Sequence, residues 1–428
     1  MSSQNRNEFV IAGAGAAGLM AARELARAGK RVILLEARDR SGGRIETLPE
    51  AEFGYAAEAG PEFVHGAASH TRAVMREAGL SLTPSGGTAW HAERGVLSVD
   101  ERSTPHTAEF RRVLMALKSD LPVAEFLARH FGDPQYAELC RSITRMVEGY
   151  DAADPARAST FALREEWMGR GVSQQGRIAE GYGALIAFLL AECRRHGAAV
   201  HFGAVVSAID SDRGKVTVQC RDGSFFAADG AVLTVPLPLL RSIGLPEETK
   251  AIAGAALADI GFGNVVKILL RFSRNWWANH AGQNLTDMSF LFSSAAVPTW
   301  WTQHPALYPV LTGWLAGPRA DAVATLSSDA HIDIALGALA ENFAVSREWL
   351  RDLLIASRAI NWGADPFACG AYSYATPSTP QVLARLDRAD ANIWFSGEAF
   401  YSGPEMGTVE AALASGWRAA QTILSGHA

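Results

Sequence analysis

Hydrophobic and polar positions follow different periods along the chain, and the changes of period mark the predicted elements. Residues 8–15 are an apolar run ending in glycines, which is typical of a buried strand that enters a tight turn. Residues 16–28 place apolar side chains at helical spacing, and Gly29 follows as a helix end. Residues 31–37 are a second apolar run. A strand, a helix and a strand with short connections predict the start of a doubly wound parallel sheet.

The rest of the chain carries further strand and helix patterns in an interrupted order. Residues 106–170 are rich in helix formers with regular apolar repeats, which predicts a helical insertion. Residues 199–235 alternate and contain turn signals, which predicts a β-meander that returns to the first unit. The other predicted elements are a helix at 178–197, mixed strands and helices at 245–366, a strand at 393–400 and a last helix at 408–424.

Composition narrows the class of protein. The chain has 428 residues, enough for two domains, with 48% hydrophobic and 20% charged residues, as in a globular enzyme. A net charge of −6 argues against a nucleic-acid partner.

The four cysteines lie far apart, without the spacing of a zinc site or a redox dithiol, so we expect reduced thiols and no metal. No apolar run is long enough for a membrane span and no signal peptide is evident, so we expect a cytoplasmic protein with no membrane partner.

The first strand–turn–helix unit carries a dinucleotide fingerprint. In G-A-G-A-A-G, the first glycine permits the turn, the second lets backbone N–H groups approach a pyrophosphate, and the third allows close helix packing. Glu36 closes the second strand, where its carboxylate can accept hydrogen bonds from both ribose hydroxyls and would repel the phosphate of NADP. The candidate cofactor residues of this unit are Gly13, Gly15, Ala16, Ala17, Gly18, Glu36 and Ala37.

The next segment favours FAD over NAD. The sequence ARDRSGGR offers bare backbone at Gly42 and Gly43, and arginines at Arg38 and Arg44 that can pair with an anion. A surface basic loop is the alternative interpretation of the same residues.

Several motifs in order give the chain a family resemblance. They extend from Phe9 to Ala420 and include VIAGAGAAGL, LEARDRSGGR, GPEFVHG, EGYGALI, VLTVPLPLL, IGFGNVVKILLRF, DPFACGAYSY, FSGEAF and GTVEAALASGWRAA. With them the chain resembles the flavin-dependent amine oxidases, in the branch of polyamine oxidases, spermine oxidases and lysine-specific histone demethylases. Residues 85–175 match poorly, and we expect substrate specificity to lie there.

The resemblance implies a discontinuous α/β fold. We expect a Rossmann-like, GR2-type FAD-binding domain from residues 1–75, 178–240 and 375–428, and an inserted α+β substrate-binding domain, with a helical part, from residues 76–177 and 241–374. Further cofactor contacts are expected at Gly60, Pro61, Glu62, Val205, Val235, Gly397, Glu398, Gly407, Thr408 and Val409.

The resemblance also implies a reaction. A hydride passes from the carbon next to an amine nitrogen to the flavin, the imine hydrolyses, and dioxygen reoxidises the flavin to give hydrogen peroxide. The expected partners are dioxygen and a small-molecule amine, a polyamine or an alkylamine. Ala371 occupies the position of the flavin-linking cysteine of monoamine oxidases, and Cys369 lies two residues away on the same expected strand face, so we expect non-covalent FAD. A monomer and a homodimer both remain open.

Two residues are predicted to be catalytic. Lys267 interrupts the apolar strand NVVKILLRF, and a buried ammonium is costly without a partner. The resemblance implies that it holds a water against the flavin N5 atom and assists the reaction with oxygen; the alternative is an edge-strand lysine that reaches solvent. His65 in GPEFVHG matches a histidine of the polyamine and spermine oxidases, where an imidazole can hydrogen-bond the amine; the alternative is a structural histidine.

The substrate-binding candidates are mostly aromatic. Aromatic rings attract ammonium groups, and the family often places two beside the flavin. Tyr372 matches one tyrosine, whereas Thr408 stands at the position of the second, so a cage of two tyrosines is in doubt. The possible substitutes are Trp300, Trp301, Trp314 and Trp362, with Trp301 and Trp362 preferred, and Glu62 is a further candidate that can meet a cationic nitrogen or serve a structural role.

Two other activities stay open. An L-amino-acid oxidase needs an arginine to clamp a carboxylate, and Arg145, Arg164 and Arg170 lie in the poorly matched region. A flavin dehydrogenase would pass electrons to a partner other than oxygen, against which Lys267 argues. A histone-demethylase-like role is disfavoured because the chain shows nothing like the long helical insertion of those enzymes.

Overall fold

The computed structural model describes residues 7–100, 105–168, 175–386 and 392–426. The strands, numbered along the chain, are β1 (Glu8–Ala12), β2 (Arg31–Leu35), β3 (Val64–His65), β4 (Leu82–Pro84), β5 (Thr88–Glu93), β6 (Val96–Val99), β7 (Gln175–Ile178), β8 (Ala199–His201), β9 (Val206–Asp212), β10 (Lys215–Cys220), β11 (Phe225–Ala228), β12 (Gly230–Leu233), β13 (Ile260–Gly263), β14 (Val265–Phe272), β15 (Asn279–His280), β16 (Gln283–Asn284), β17 (Met288–Ser293), β18 (Thr299–Trp301), β19 (Val310–Ala316), β20 (Leu354–Asn361), β21 (Tyr372–Ala375) and β22 (Ile393–Phe395).

The α-helices are numbered in the same way. They are α1 (Ala16–Arg27), α2 (Glu50–Phe53), α3 (Ser69–Ala78), α4 (Thr107–Ala116), α5 (Val123–His130), α6 (Ala137–Gly149), α7 (Thr160–Met168), α8 (Tyr182–Arg195), α9 (Glu247–Asp259), α10 (Pro318–Asp321), α11 (Ser328–Phe343), α12 (Arg347–Leu353), α13 (Thr379–Leu386) and α14 (Val409–Ser425).

A five-stranded parallel sheet forms the first layer, in the order β22-β12-β1-β2-β8. Four of the five residues of β1 are buried, as expected for a strand covered on both faces. Helices α1, α8 and α14 pack together on one side, where a Cβ at Gly416 would lie 2.2 Å from the carbonyl oxygen of Ala17. This sheet confirms the predicted strand–helix–strand start, and its carboxyl ends face the site described below.

The predicted meander is only partly right. Strands β9, β10 and β11 form an antiparallel sheet, but β12 leaves it and pairs in parallel with β1 and β22. All four residues of β12 are buried, so this segment is a continuous apolar run of the kind that parallel sheets contain, not an alternating strand.

A seven-stranded sheet forms the second layer, in the order β20-β14-β19-β18-β17-β5-β6. Strand β14 lies inside this sheet, between β19 and β20, and seven of its eight residues are buried. Helices α4 to α7 confirm the predicted helical region; its last two residues, 169 and 170, lie outside the described residues.

Two predicted boundaries are wrong for local reasons. The helix predicted from residue 178 begins at Tyr182, because Gln175–Ile178 pairs with β3 and β4 and Gly181 turns the chain at a φ of +81°. The strand predicted at 393–400 ends at Phe395, because Gly397 has a φ of +146° and a 3-10 turn follows at Glu398–Phe400.

The five strands of the parallel sheet come from the ranges expected for the cofactor domain, and the seven of the second sheet from those of the substrate domain. The exact domain division stays a prediction. Within the described residues, no helix is both long and apolar enough to cross a membrane.

Candidate active site

One large cavity lies between the two sheets and the helical region. Its volume is about 1630 Å³, above the roughly 300–1,000 Å³ of a pocket for one small ligand. The residues predicted to bind the cofactor, bind the substrate or take part in catalysis line this cavity, except Gly18 and the alternative tryptophan Trp300. The cavity is therefore large enough for a dinucleotide and a substrate together.

The glycine turn opens the N-terminus of α1 to the cavity. Gly13 has a φ of +110°, and a Cβ there would lie 2.7 Å from Thr234 Oγ1. At Gly15, the N-cap of α1, a Cβ would approach only the carbonyl oxygen of Gly42, at 3.9 Å, and no side chain caps the helix. Gly18 instead serves packing, because its Cβ would lie 1.9 Å from the Gly13 carbonyl oxygen. The first N–H groups of α1 thus face an open space that suits an anion.

Glu36 follows β2 and lies in the cavity wall. Its carboxyl oxygens accept hydrogen bonds from the backbone N–H groups of Ala14, at 2.7 Å, and of Arg38, at 2.9 Å. Burial raises the pKa of Glu36 more than these two hydrogen bonds lower it. Each carboxylate oxygen has a second lone pair, so the group can still accept from two hydroxyls.

The two predicted arginines are held by carboxylates of the protein. Arg44 donates from Nη1 to the Ala371 carbonyl oxygen, at 2.6 Å, and to Glu398 Oε1, at 2.8 Å. Arg38 donates to Asp365 Oδ1 at 2.5 Å. Arg44 therefore joins the Gly-Gly-Arg loop to the strand at residue 371 and to the turn before α14.

Lys267 lies on β14, inside the second sheet, with its ammonium in the cavity wall. The residue is 1% exposed, and Nζ donates to the Gly60 carbonyl oxygen at 3.1 Å and to Glu62 Oε2 at 3.0 Å. Because β14 has a neighbour on each side, the alternative of an edge-strand lysine that reaches solvent is wrong. A buried ammonium needs an anionic partner, and the carboxylate of Glu62 provides it.

Glu62 is the centre of a buried polar cluster, which we call the Glu62 cluster: Glu62, Arg177, Lys267, Trp301 and Gln303. Glu62 Oε1 accepts from Arg177 Nε and Gln303 Nε2, each at 2.8 Å, and Trp301 Nε1 lies 3.0 Å from both carboxylate oxygens. Burial alone would raise the pKa of Glu62, but the charges of Lys267 and Arg177 outweigh it and lower the pKa to about 2. Glu62 is thus an anion whose acceptor sites are used by the protein, an arrangement that does not favour the predicted contact with substrate.

The sequence does not single out Arg177 and Gln303. Arg177 lies on β7, where its guanidinium also donates to the carbonyl oxygens of Thr302, at 2.9 Å, and His304, at 3.3 Å. The only local signal is an arginine inside a short strand with buried neighbours, which does not identify its partner.

His65 ends β3 and faces the helical region across the cavity. Its Nδ1 lies 3.5 Å from the hydroxyl of Tyr150, and the two rings meet edge to face with centroids 5.8 Å apart. Burial lowers the pKa of His65 to about 4. The imidazole is therefore neutral at physiological pH and adds no charge that would repel an ammonium group.

The aromatic candidates divide into wall and core. Trp301, Trp314, Trp362 and Tyr372 line the cavity, whereas Trp300 is fully buried and donates to the Val297 carbonyl oxygen. Two of these cavity-lining residues also hold the end of α6. Tyr372 Oη donates to the Tyr150 carbonyl oxygen at 2.6 Å, and Trp314 Nε1 donates to the Gly149 carbonyl oxygen at 2.8 Å.

A pair of carboxyl groups that the sequence does not single out lies next to this anchor. Asp151 and Glu166 line the cavity and are hydrogen-bonded to each other. Burial and the neighbouring carboxylate raise the pKa of Asp151 well above its usual range, and burial raises that of Glu166 to about 7. Two carboxyls this close share a proton until a cation joins them.

Of the three arginines considered as a carboxylate clamp, Arg145 lines the cavity. Arg164 lies over the ring of Phe161 and donates to the carbonyl oxygen of Leu117, and Arg170 lies outside the described residues. Ala371 lines the cavity, and within the described part of the chain no cysteine does. No group of three or more described His, Cys, Asp or Glu side chains is arranged for a metal ion.

Comparison with known proteins gives one consistent family. Polyamine oxidase 4 of Oryza sativa subsp. japonica is 28% identical over 446 residues, which cover 96% of this chain and 87% of that protein. An L-amino-acid oxidase of Bungarus fasciatus is 23% identical over 465 residues, covering 98% and 87%. The structure of cyclohexylamine oxidase from Brevibacterium oxydans IH-35A matches with a TM-score of 0.79 at 21% identity, covering 98% of this chain and 99% of that chain, and confirms the predicted α/β fold class.

A family model described as flavin containing amine oxidoreductase matches residues 16–424. Because this match covers nearly the whole chain and agrees with the motifs found in the sequence, the chain belongs to the flavin containing amine oxidoreductase family.

Proposed function

We propose that the protein is an FAD-dependent amine oxidase that uses dioxygen and releases hydrogen peroxide. The observation that carries this proposal is the single cavity that joins the open N-terminus of α1 to the buried ammonium of Lys267. One end suits a dinucleotide and the other carries the groups expected beside a flavin ring. When bound, the flavin would supply the chemistry by accepting a hydride from the carbon next to the amine nitrogen.

The chain has suitable groups for each part of FAD. The open backbone at Gly15 and Gly43 fits the pyrophosphate, and the carboxylate of Glu36 fits the ribose hydroxyls. The start of α14, where Thr408 caps the helix, presents a positive helix end to the cavity, which suits an anionic ring. The absence of a described cysteine from the cavity wall supports non-covalent binding.

A cationic amine fits the substrate end of the cavity. Neutral His65 can hydrogen-bond the reacting nitrogen, and the rings of Trp301 and Tyr372 offer a face to it. The carboxyl pair of Asp151 and Glu166 gives a second nitrogen a place to bind. We therefore favour a diamine or polyamine over a simple alkylamine.

Lys267 is the residue we assign to the reaction with oxygen. Its ammonium is buried, fixed by two acceptors and directed to the cavity, so it can stabilise negative charge that forms beside it. The cytoplasmic location expected from the sequence also remains part of this proposal.

A peroxide-coupled screen tests the function. Purified protein loaded with FAD is assayed against polyamines, alkylamines and L-amino acids, with anaerobic flavin bleaching followed in parallel. We expect bleaching and peroxide with diamines or polyamines. Turnover of L-amino acids would instead point to Arg145 as a carboxylate clamp, and bleaching without reoxidation in air would support a dehydrogenase.

Lys267→Met separates the two halves of the reaction. The variant retains the shape of the buried strand but lacks the ammonium, so we expect FAD binding and anaerobic bleaching to persist while reoxidation by oxygen slows sharply. Reoxidation at the wild-type rate would contradict the role of Lys267.

A further inference from the structure

The ammonium of Lys267 has more N–H groups than hydrogen-bond acceptors among the described residues. A lysine ammonium has three N–H groups. Among the described residues it meets two hydrogen-bond acceptors, the carbonyl oxygen of Gly60 and the carboxylate of Glu62, and the residue lines the cavity. A third N–H is thus left for a molecule in the cavity. Its direction depends on how firmly the other two contacts fix the long, flexible side chain.

Glu62 is itself held by protein groups other than Lys267. Arg177 and Gln303 both donate to Oε1 and Trp301 donates across both oxygens, so the carboxylate keeps its place without Lys267. Arg177 is in turn bound to two backbone carbonyls. Three donors other than Lys267 therefore hold the Glu62 carboxylate, and Lys267 is the fourth donor.

We propose that Glu62 is a positioning residue that fixes the ammonium of Lys267 for the reaction with oxygen. This proposal rests on the proposed function, because it assigns the purpose of the fixed ammonium to that reaction. Arg177 completes the arrangement: it balances the charge of Glu62, so the cluster retains the single positive charge that Lys267 brings.

Direct binding of a substrate ammonium by Glu62 does not fit the geometry. A carboxylate has about four lone-pair sites, and four protein donors already converge on Glu62, with the Trp301 N–H shared between both oxygens. A substrate cation that approached it would also meet the charges of Lys267 and Arg177. Its contacts therefore favour an action through Lys267.

The decisive variant removes the positioning without changing the charge. Glu62→Gln alone leaves two buried cations without a counterion, which destabilises the fold. Glu62→Gln combined with Arg177→Gln removes one negative and one positive charge, so the site keeps its net charge while Lys267 loses its carboxylate. Glu52→Gln, which removes a surface ion pair with Arg358, is the matched control.

The assay avoids any dependence on the substrate. FAD in each protein is reduced with light or dithionite under anaerobic conditions, mixed with oxygenated buffer, and followed at the flavin absorbance. We expect the double variant to bind FAD and to reoxidise about tenfold or more slowly, close to Lys267→Met, with no additional loss when all three substitutions are combined. Reoxidation of the folded double variant at the wild-type rate would overturn the proposal, whether or not amines prove to be substrates.

A second measurement is independent of turnover. Acetylation of lysines by acetic anhydride, quantified by mass spectrometry in the FAD-loaded proteins, reports how firmly the amine is held. Lys250, whose side chain is 68% exposed, is the internal reference. We expect Lys267 to resist acetylation in the wild type and in Glu52→Gln, and to react several-fold faster in the double variant. Equal protection in all three proteins would contradict a positioning role for Glu62. A double variant that neither folds nor binds FAD would also contradict it, because the cluster would then be primarily structural.

Discussion

Glu58 is a buried carboxyl group whose charge the fold disfavours. The residue is 4% exposed, and its Oε1 accepts hydrogen bonds from the Tyr182 N–H, at 2.6 Å, and from Thr47 Oγ1, at 2.8 Å. Its Oε2 is buried and has no partner among the described residues. Burial raises the pKa of Glu58 from 4.5 to about 7, because the two hydrogen bonds offset only part of the cost of the charge.

The sign of the pH effect follows from the raised pKa. The folded protein binds this proton more tightly than the unfolded chain, so Glu58 costs nothing below pH 4.5 and destabilises the fold as the pH rises through 7. At 1.36 kcal/mol per pKa unit the full cost is about 3 kcal/mol. Glu58→Gln retains the shape and the acceptor without the charge. We expect it to match the wild type within about 1 kcal/mol at pH 5 and to be up to about 3 kcal/mol more stable at pH 8.5.

Urea unfolding of the FAD-saturated proteins at the two pH values measures this difference. Glu410→Gln is the control, because the pKa of Glu410 is shifted in the opposite direction. Glu410 is also buried, but hydrogen bonds from the N–H groups of His70 and Thr71 outweigh burial and lower its pKa. That variant is expected to lose stability at neutral pH, and to lose less as the pH falls below 4.5. A gain for Glu58→Gln that is the same at pH 5 and pH 8.5 would refute the reasoning.

Three further expectations concern the cavity. Gly15→Ala meets no close neighbour, so apoprotein stability should not change, whereas FAD affinity measured by fluorescence titration should fall about tenfold or more. Gly18→Ala places its Cβ 1.9 Å from the Gly13 carbonyl oxygen, so both the thermal midpoint and FAD binding should drop. The ratio of kcat/KM for a diamine over a monoamine of equal length should rise several-fold through about pH 7, as Glu166 ionises beside Asp151. Asp151→Asn should flatten that rise, and an unchanged ratio would argue against the pair as an ammonium site.

Local sequence was sufficient to place the glycine turn and Glu36 together at one end of the cavity. The glycine turn and Glu36 belong to one strand–helix–strand unit, in which short connections and fixed periodicities determine where each residue lies. The same holds for Lys267, because a lysine flanked by apolar residues on both strand faces indicates a buried ammonium wherever the strand packs.

Local sequence could not supply the partners of these residues. Glu62 and Arg177 are 115 positions apart and Glu62 and Lys267 are 205 apart, so their contact depends on how three separate strands meet. The assignment of Glu62 as a substrate contact followed from its position in a motif. The cluster that occupies its oxygens is visible only when β7 and β18 are brought together.

The helical region, where we expect specificity to lie, is attached to the second sheet after α6. Residues 149–152 are fastened to that sheet by Trp314 and Tyr372, and Gly263 permits the approach, since a Cβ there would lie 2.0 Å from the Ala152 carbonyl oxygen. Because the anchors hold backbone carbonyls, they constrain the path of the chain and leave the side chains at these positions free to differ. Asp151 lies within this segment, so its carboxyl can define which amine binds without disturbing the sheet that carries Lys267.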